Sequence, residues 1–457
     1  MVFSSALFLF AFLPVTFLGH LLIRDMRAKN VFLLCASLLF YAVGEPVYIF
    51  LMLFSIAMNY AFGRLIDSKR ARSVLALSVV CNLALLGVFK YADLIVETVD
   101  LIPGAALRPV GLPLPIGISF FTFQAMSYLI DLYRGRTACQ RNILKLALYI
   151  SLFPQLIAGP IVQYGDIAAE IDHRTQTVGD VADGLRRFIA GLAKKLLIAN
   201  TLGRAADAVF AMNGGAAVAA WAGAVFYCLQ IYFDFSGYSD MAIGLGRMFG
   251  FHFRENFDYP YAAASLRDFW RRWHISLSSW FREYLYIPLG GSRKGEGRAI
   301  LNRLIVFFLT GLWHGASFNF VIWGMIHGVA STCENLVTRR VRVPRAVTRI
   351  LMLLVVCVSF VFFRADTLSD AAAYIAAMFS RLTLTGQEMQ TFLALLDPWL
   401  VFIAVLGIIL CLPVRRRIPM EKPAVRCVSY ALSLLLLLVC IGSLASSGYN
   451  PFIYFRF

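Results

Sequence analysis

The stretch LIVFFLTGLWHGASFNFVIWGMIHGV, residues 304–329, contains no Asp, Glu, Lys or Arg. About 20 apolar residues cross roughly 30 Å of hydrocarbon, so this window is long enough to lie in a bilayer. Comparable windows, separated by short polar and basic connections, recur along the chain. With 457 residues at 60% hydrophobic, 14% aromatic and 15% charged, one soluble core cannot hide the apolar surface, and lipid must cover the rest. The length rule predicts roughly ten to twelve crossings. The first apolar stretch, Val2 to Ile23, has no basic residue before its core and no small-residue cleavage site, so it reads as a retained span. No long linker, charge block or repeat interrupts the chain, which predicts one all-α polytopic domain over 1–457.

The formal charge of +16 is unevenly placed. Basic residues gather in Arg24 to Lys29, Arg64 to Arg72, Arg134 to Lys145, Arg339 to Arg349 and Arg415 to Arg426. The connections around Glu45, from Asp93 to Asp100 and from Asp366 to Asp370 are neutral or acidic. Alternation of this kind predicts that both termini lie outside the cell, by the positive-inside rule. Dispersal of the cations between spans argues against nucleic-acid binding. The nine cysteines show no CxxC or Cys/His spacing and mostly sit in apolar runs, so they predict neither a metal site nor a disulfide framework.

Ionisable groups inside spans are costly and mark candidate sites. Only six histidines occur. If the segment around His314 is one helix, Thr310, His314 and Ser317 share a polar face that looks into a cavity. Imidazole suits the general-base step of ester formation from a thioester, although a buried histidine kept for packing fits the local sequence equally. His327 falls about 220° further around such a helix, off that face. His274 lies in a basic amphipathic segment, about 265–300. Read as a helix, Arg267, Arg271, His274, Ser278 and Arg282 form one stripe, with Trp273, Leu277, Trp280 and Tyr284 on another. The stripe suits either lipid phosphates at a membrane interface or the phosphates of an acyl-donor nucleotide.

Asp234 and Asp240, in Phe233 to Asp240, fit either a turn or a cavity lining. Gln124 and Gln155 interrupt apolar runs and are further lining candidates; Pro154, Gly159 and Pro160 predict a re-entrant or broken segment around Gln155. The tail 448–457 has four aromatics in its final six residues. It reads as an interfacial anchor or as a segment folded back toward the reaction chamber, where the Tyr454 hydroxyl can carry an acyl group.

Several blocks together resemble the alginate O-acetyltransferase branch of the membrane-bound O-acyltransferase family. They are Met1 to Ser5, Phe233 to Gly244, Phe269 to Leu277 (FWRRWHISL), Tyr286 to Gly291 (YIPLGG) and Leu312 to Gly315 (LWHG). The resemblance implies a ring of tilted helices, with re-entrant and amphipathic segments, around a central tunnel. It implies that His314 is catalytic and His274 is the second functional histidine. It also implies a cytoplasmic acetyl-CoA donor with no bound cofactor or metal, and a location in the bacterial inner membrane. An extracytoplasmic SGNH-type acetyltransferase partner and a polysaccharide acceptor such as alginate, cellulose or peptidoglycan are expected with it. Related D-alanyl exporters use a partner peptide with an acyl-carrying tyrosine, and FIYFRF (452–457) is similar to that motif within this chain. Transfer of D-alanine or another acyl group, and a non-catalytic transporter or flippase, are the alternatives; the latter normally shows inverted repeats, which the sequence lacks.

Overall fold

A computed structural model describes residues 1–69, 71–100, 102, 108–212, 216–380, 386–419, 421–446 and 448–453. Among the described residues the regular structure is helical, with no β-strand. Among the described residues six helices are long and apolar enough to cross a membrane. They are α1 (Met26–Gly44), α2 (Ile49–Lys69), α3 (Arg72–Asp100), α4 (Ala217–Met248), α9 (Arg345–Arg364) and α10 (Pro423–Ser446). Their surroundings differ sharply: 78% of the apolar window of α4 is buried in protein, against 6% for α10. On α10, Leu432, Leu434, Leu435 and Leu438 face outward, a surface that only lipid covers at low cost. The N-terminal stretch forms a π-turn, Phe8–Phe12, running into the helix Leu13–Leu22, which is shorter than these six.

The chain divides into two compact units, residues 1–188 with 238–255, and residues 189–237 with 256–457. In the first unit, α2 and α3 are joined by reciprocal amide hydrogen bonds between Asn59 and Asn82, at 3.1 and 2.8 Å. Such side-chain bonds hold helices together where lipid supplies no hydrophobic drive. The break expected near Gln155 is present: the helix Ile143–Ser151 stops and a single turn, Phe153–Leu156, follows. Its freed groups are satisfied locally, since Gln155 Nε2 donates to the Tyr149 carbonyl and the Phe153 N–H donates to Ser37 Oγ. Gln124 is wholly buried in the helix Ile118–Tyr133. Asp240 is held by Arg187, whose Nε and Nη2 donate at 3.0 and 2.8 Å; Arg187 also pairs with Glu255.

The turn reading of Phe233 to Asp240 is corrected, because both aspartates lie inside the continuous helix α4. Ion pairing, with Lys195 for Asp234 and with Arg187 for Asp240, is what lets two carboxylates sit in a largely buried helix.

In the second unit two short helices, α5 (Leu266–Arg272) and α6 (Ile275–Phe281), precede a hairpin of α7 (Glu296–His314) and α8 (Phe318–Arg340). The charge-free window 304–329 is therefore two helices and not one. The chain reverses over 315–317, and the arms approach so closely that a Cβ on Gly324 would lie 2.3 Å from the Phe307 carbonyl oxygen. Aromatic side chains, among them Trp273, Trp323, Phe360 and Phe363, fill the core of this unit.

Candidate active site

His314 is the last residue of α7, and its buried ring is boxed edge-to-face by Trp313, Trp323 and Phe363, with centroids 5.0, 5.0 and 5.2 Å away. Beside it lies a narrow apolar cavity lined by Ile231, Phe235, Trp273, His314, Trp323, Phe360, Phe363 and Ile453. A low-dielectric pocket of this kind strengthens interactions with any charge that develops inside it and excludes competing water. Thr310 lies one turn before His314, but its hydroxyl donates to the Val306 carbonyl at 2.7 Å. Ser317 is not on that face: it caps α8, where its Oγ accepts the Asn319 N–H. The shared polar face expected for Thr310, His314 and Ser317 is thus corrected by the hairpin turn.

The continuous amphipathic helix expected around His274 is corrected as well. Ser265 Oγ and the Glu334 carboxylate accept the first N–H groups of α5, and Glu334 comes from α8. Helix α5 ends at Arg272, Trp273 is extended, and His274 takes a left-handed conformation, φ 44° and ψ 56°. For a residue with a Cβ that conformation costs on the order of 1–2 kcal/mol and persists only when surroundings impose it. Asn256 imposes it here. Its backbone carbonyl accepts the Ile275 N–H at 2.9 Å, while its Oδ1 accepts the Ser276 N–H at 3.1 Å and the Ser276 hydroxyl at 2.9 Å.

The same Oδ1 stands 3.2 Å from His274 Nδ1. A backbone N–H already identifies that Asn256 atom as the oxygen, so His274 Nδ1 must be the donor. The imidazole proton is then on Nδ1, and Nε2 keeps its lone pair. Among the described residues Nε2 has no hydrogen-bond partner, and the His274 side chain is fully buried. A neutral histidine oriented through one nitrogen with a bare lone pair on the other is the form in which imidazole accepts a proton.

Both predicted histidines come together around shared aromatics. Phe235 lines the His314 cavity and packs 4.6 Å from the His274 ring, and Trp313 stands 5.8 Å from His274 and 5.0 Å from His314. His327, which helical spacing had set apart, lies across Trp323 from His314, with ring separations of 5.2 and 5.0 Å. Its Nε2 meets Ser359 Oγ at 2.9 Å; that hydroxyl donates to the Val356 carbonyl, so His327 is the donor.

Arg267, Arg271 and Arg282 are exposed, but the kink at Trp273–His274 splits them between α5 and the π-turn Arg282–Tyr286. Arg267 reaches Asn335, and Arg271 and Arg282 make no ion pair among the described residues. Arg272, by contrast, is engaged by Asp268 at 2.9 Å. Burial pushes the Asp268 carboxyl up, but the Arg272 bond and the Ala264 N–H outweigh it and leave the group below its ordinary value.

The described part of the tail, 448–453, is docked rather than solvated. Tyr449 OH donates to Asp207 at 2.7 Å, and Asp207 also takes a hydrogen bond from Arg364 at 2.6 Å. Asn200 Nδ2 donates to the Tyr449 carbonyl, Lys195 Nζ to the Pro451 carbonyl, and the Ile453 N–H donates to Asp234 Oδ2 at 2.9 Å. Asp234 is therefore occupied with the tail and with Lys195. Ile453 lines the His314 cavity, and Tyr454 lies outside the described residues. Asn256 and Lys195 escaped the sequence reading, and His327, set apart there by helical spacing, is brought near His314 by the hairpin.

A multi-pass helical protein with a buried histidine in an apolar cavity and a second buried histidine behind shared aromatics has the parts of a membrane acyltransferase. The profile of MBOAT, the membrane-bound O-acyltransferase family, matches residues 138–366. A probable alginate O-acetylase, AlgI, of Pseudomonas putida is 41% identical over 100% of both chains. The peptidoglycan O-acetyltransferase of Helicobacter pylori is 36% identical, covering 83% of this chain and 80% of that protein. The teichoic acid D-alanyltransferase of Bacillus subtilis is 29% identical over 48% and 58%. The chain belongs to the membrane-bound O-acyltransferase family and is a multi-pass membrane acyltransferase.

Proposed function

We propose that this enzyme moves acetyl groups from cytoplasmic acetyl-CoA to an extracytoplasmic polysaccharide, with Tyr454 carrying the acetyl group in transit. The observation that carries the reading is the position of Ile453 in the wall of the His314 cavity. Tyr454 follows Ile453 directly in the sequence, which supports the carrier reading. His314 takes the phenolic proton as the oxygen attacks the thioester carbonyl. The C–O bond forms, the C–S bond breaks, and coenzyme A leaves as a thiolate that the imidazolium reprotonates. His274, oriented by Asn256, provides the second buried base. The exposed Arg267, Arg271 and Arg282 hold the donor's phosphates, a role that suits guanidinium groups without a tight carboxylate partner. The docked ester then passes to a partner of the SGNH acetyltransferase type outside the inner membrane, with the enzyme's two termini on that side. Acetyl rather than D-alanyl is favoured because the alginate O-acetylase and the peptidoglycan O-acetyltransferase match most of the chain, whereas the D-alanyltransferase matches 48% of it.

The test is incubation of purified enzyme in nanodiscs with radiolabelled acetyl-CoA, followed by mapping of base-labile label. Wild type is expected to acquire label at Tyr454, and His314→Ala and Tyr454→Phe to acquire none. Unchanged label in His314→Ala sinks the base assignment. Polymer acetylation by Tyr454→Phe at the wild-type rate removes the carrier step.

A further inference from the structure

Lys195 and Asp234 form an ion pair at 2.8 Å with side chains only 4% and 2% exposed. Lys195 sits in a π-turn, Lys194–Ala199, between two helices, and Asp234 sits inside α4. Two charges removed from water this completely are retained only when their other hydrogen-bonding positions are also filled. The tail contributes to filling them on both sides. The ammonium donates to the Pro451 carbonyl, and the carboxylate accepts the Ile453 N–H. Asn200, at the end of the same π-turn, holds the Tyr449 carbonyl. Three side chains therefore grip the main chain at residues 449, 451 and 453, which adds main-chain contacts that set the register to the side-chain bond from Tyr449 to Asp207. A π-turn widens the helix and re-aims side chains, and here it brings Lys195 and Asn200 to one peptide.

We propose that the Lys195–Asp234 pair is a docking clamp for the chain's own C-terminal segment, fixing the register in which that segment enters the His314 cavity. Lys195 and Asp234 are positioning residues: they touch the tail and not the reacting atoms. The docking stands on the contacts above, and its bearing on acetyl transfer rests on the carrier role proposed for Tyr454.

The test uses the full-length enzyme in nanodiscs and a double variant, Lys195→Met with Asp234→Leu, which replaces the pair by apolar groups of similar size and avoids a lone buried charge. Asn200→Leu, which removes a tail contact without touching the pair, is the second variant. Carboxypeptidase Y is added, and the new C-terminus is read over time by mass spectrometry, with monodisperse elution as the check of folding. Both variants are expected to be trimmed past Asn450 at least 10-fold faster than wild type. Equal trimming in wild type and in a folded variant overturns the clamp. If the double variant does not elute as a folded species, Asn200→Leu alone decides by the same criterion. Acetyl label is measured in parallel. Faster trimming with undiminished polymer acetylation upholds the clamp and overturns the carrier role instead.

Discussion

Substituting Gly324 by alanine tests whether the close contact of α7 with α8 sets the position of His314. The added Cβ would lie 2.3 Å from the Phe307 carbonyl oxygen and 3.1 Å from the Gly311 N. Ordinary contact begins at 3.4 Å, so the arms must separate by about 1 Å, and the atom in the way is backbone that cannot swing aside. Overpacking of this size costs roughly 1–3 kcal/mol, which a folded membrane protein survives. The larger consequence falls on chemistry, because Phe307 lies two turns before His314 on α7, and a misplacement of about 1 Å lowers a positioned reaction by roughly 100-fold. Gly297, at the start of the same helix, is the control: no atom lies within 4 Å of its Cβ position, so alanine there should be neutral or raise stability by about 0.5–1 kcal/mol. Both variants are assayed for acetyl transfer in nanodiscs and for thermal midpoint. Wild-type transfer by Gly324→Ala, with the expected loss of stability, refutes the view that the hairpin contact positions His314 for the proposed transfer.

Asn256→Leu removes the acceptor that orients His274 and leaves three donors orphaned; acetyl transfer should fall by about 10²-fold or more, whereas Asn256→Asp, which keeps an acceptor, should retain more activity. Arg271→Glu combined with Arg282→Glu should raise the KM for acetyl-CoA by on the order of 10-fold or more, with a smaller change in kcat, and an unaltered KM argues against these side chains as the donor site. Asn59→Leu should lower the thermal midpoint by orphaning the Asn82 amide, a cost of about 1–2 kcal/mol, and Asn59→Leu with Asn82→Leu should recover part of it.

What could be read in advance follows from how local the causes are. His314 and His274 stand out because a polar ring inside an apolar run is legible without a partner, and the break near Gln155 is announced by Pro154, Gly159 and Pro160 beside it. The kink at His274 has no local cause: Arg272, Trp273, His274 and Ile275 all tolerate a helix. What bends them is Asn256, which lies 18 residues upstream. The hairpin at 315–317 left a partial signal in Gly315 and in the capping Ser317, hidden by the absence of charge across 304–329. Asp234 and Asp240 looked like turn residues because Lys195 and Arg187, the cations that make a helix tolerable there, are distant in sequence. The docking of residues 449–453 rests largely on main-chain atoms, which every sequence possesses, and on partners such as Asp207 that are distant in sequence, so composition could show only that the tail was too aromatic to be solvated.

Helix α10 carries one further implication. It has 24 residues, about 36 Å at 1.5 Å each, and Cys440 is its one buried residue. A rod of that length in hydrocarbon roughly 30 Å thick tilts to fit, and little packing opposes the tilt. The tail leaves the far end of this helix. Acyl-chain length in the surrounding lipid is therefore expected to bear on the segment 448–453, whose Ile453 lines the His314 cavity, and nanodiscs of graded thickness would read that dependence.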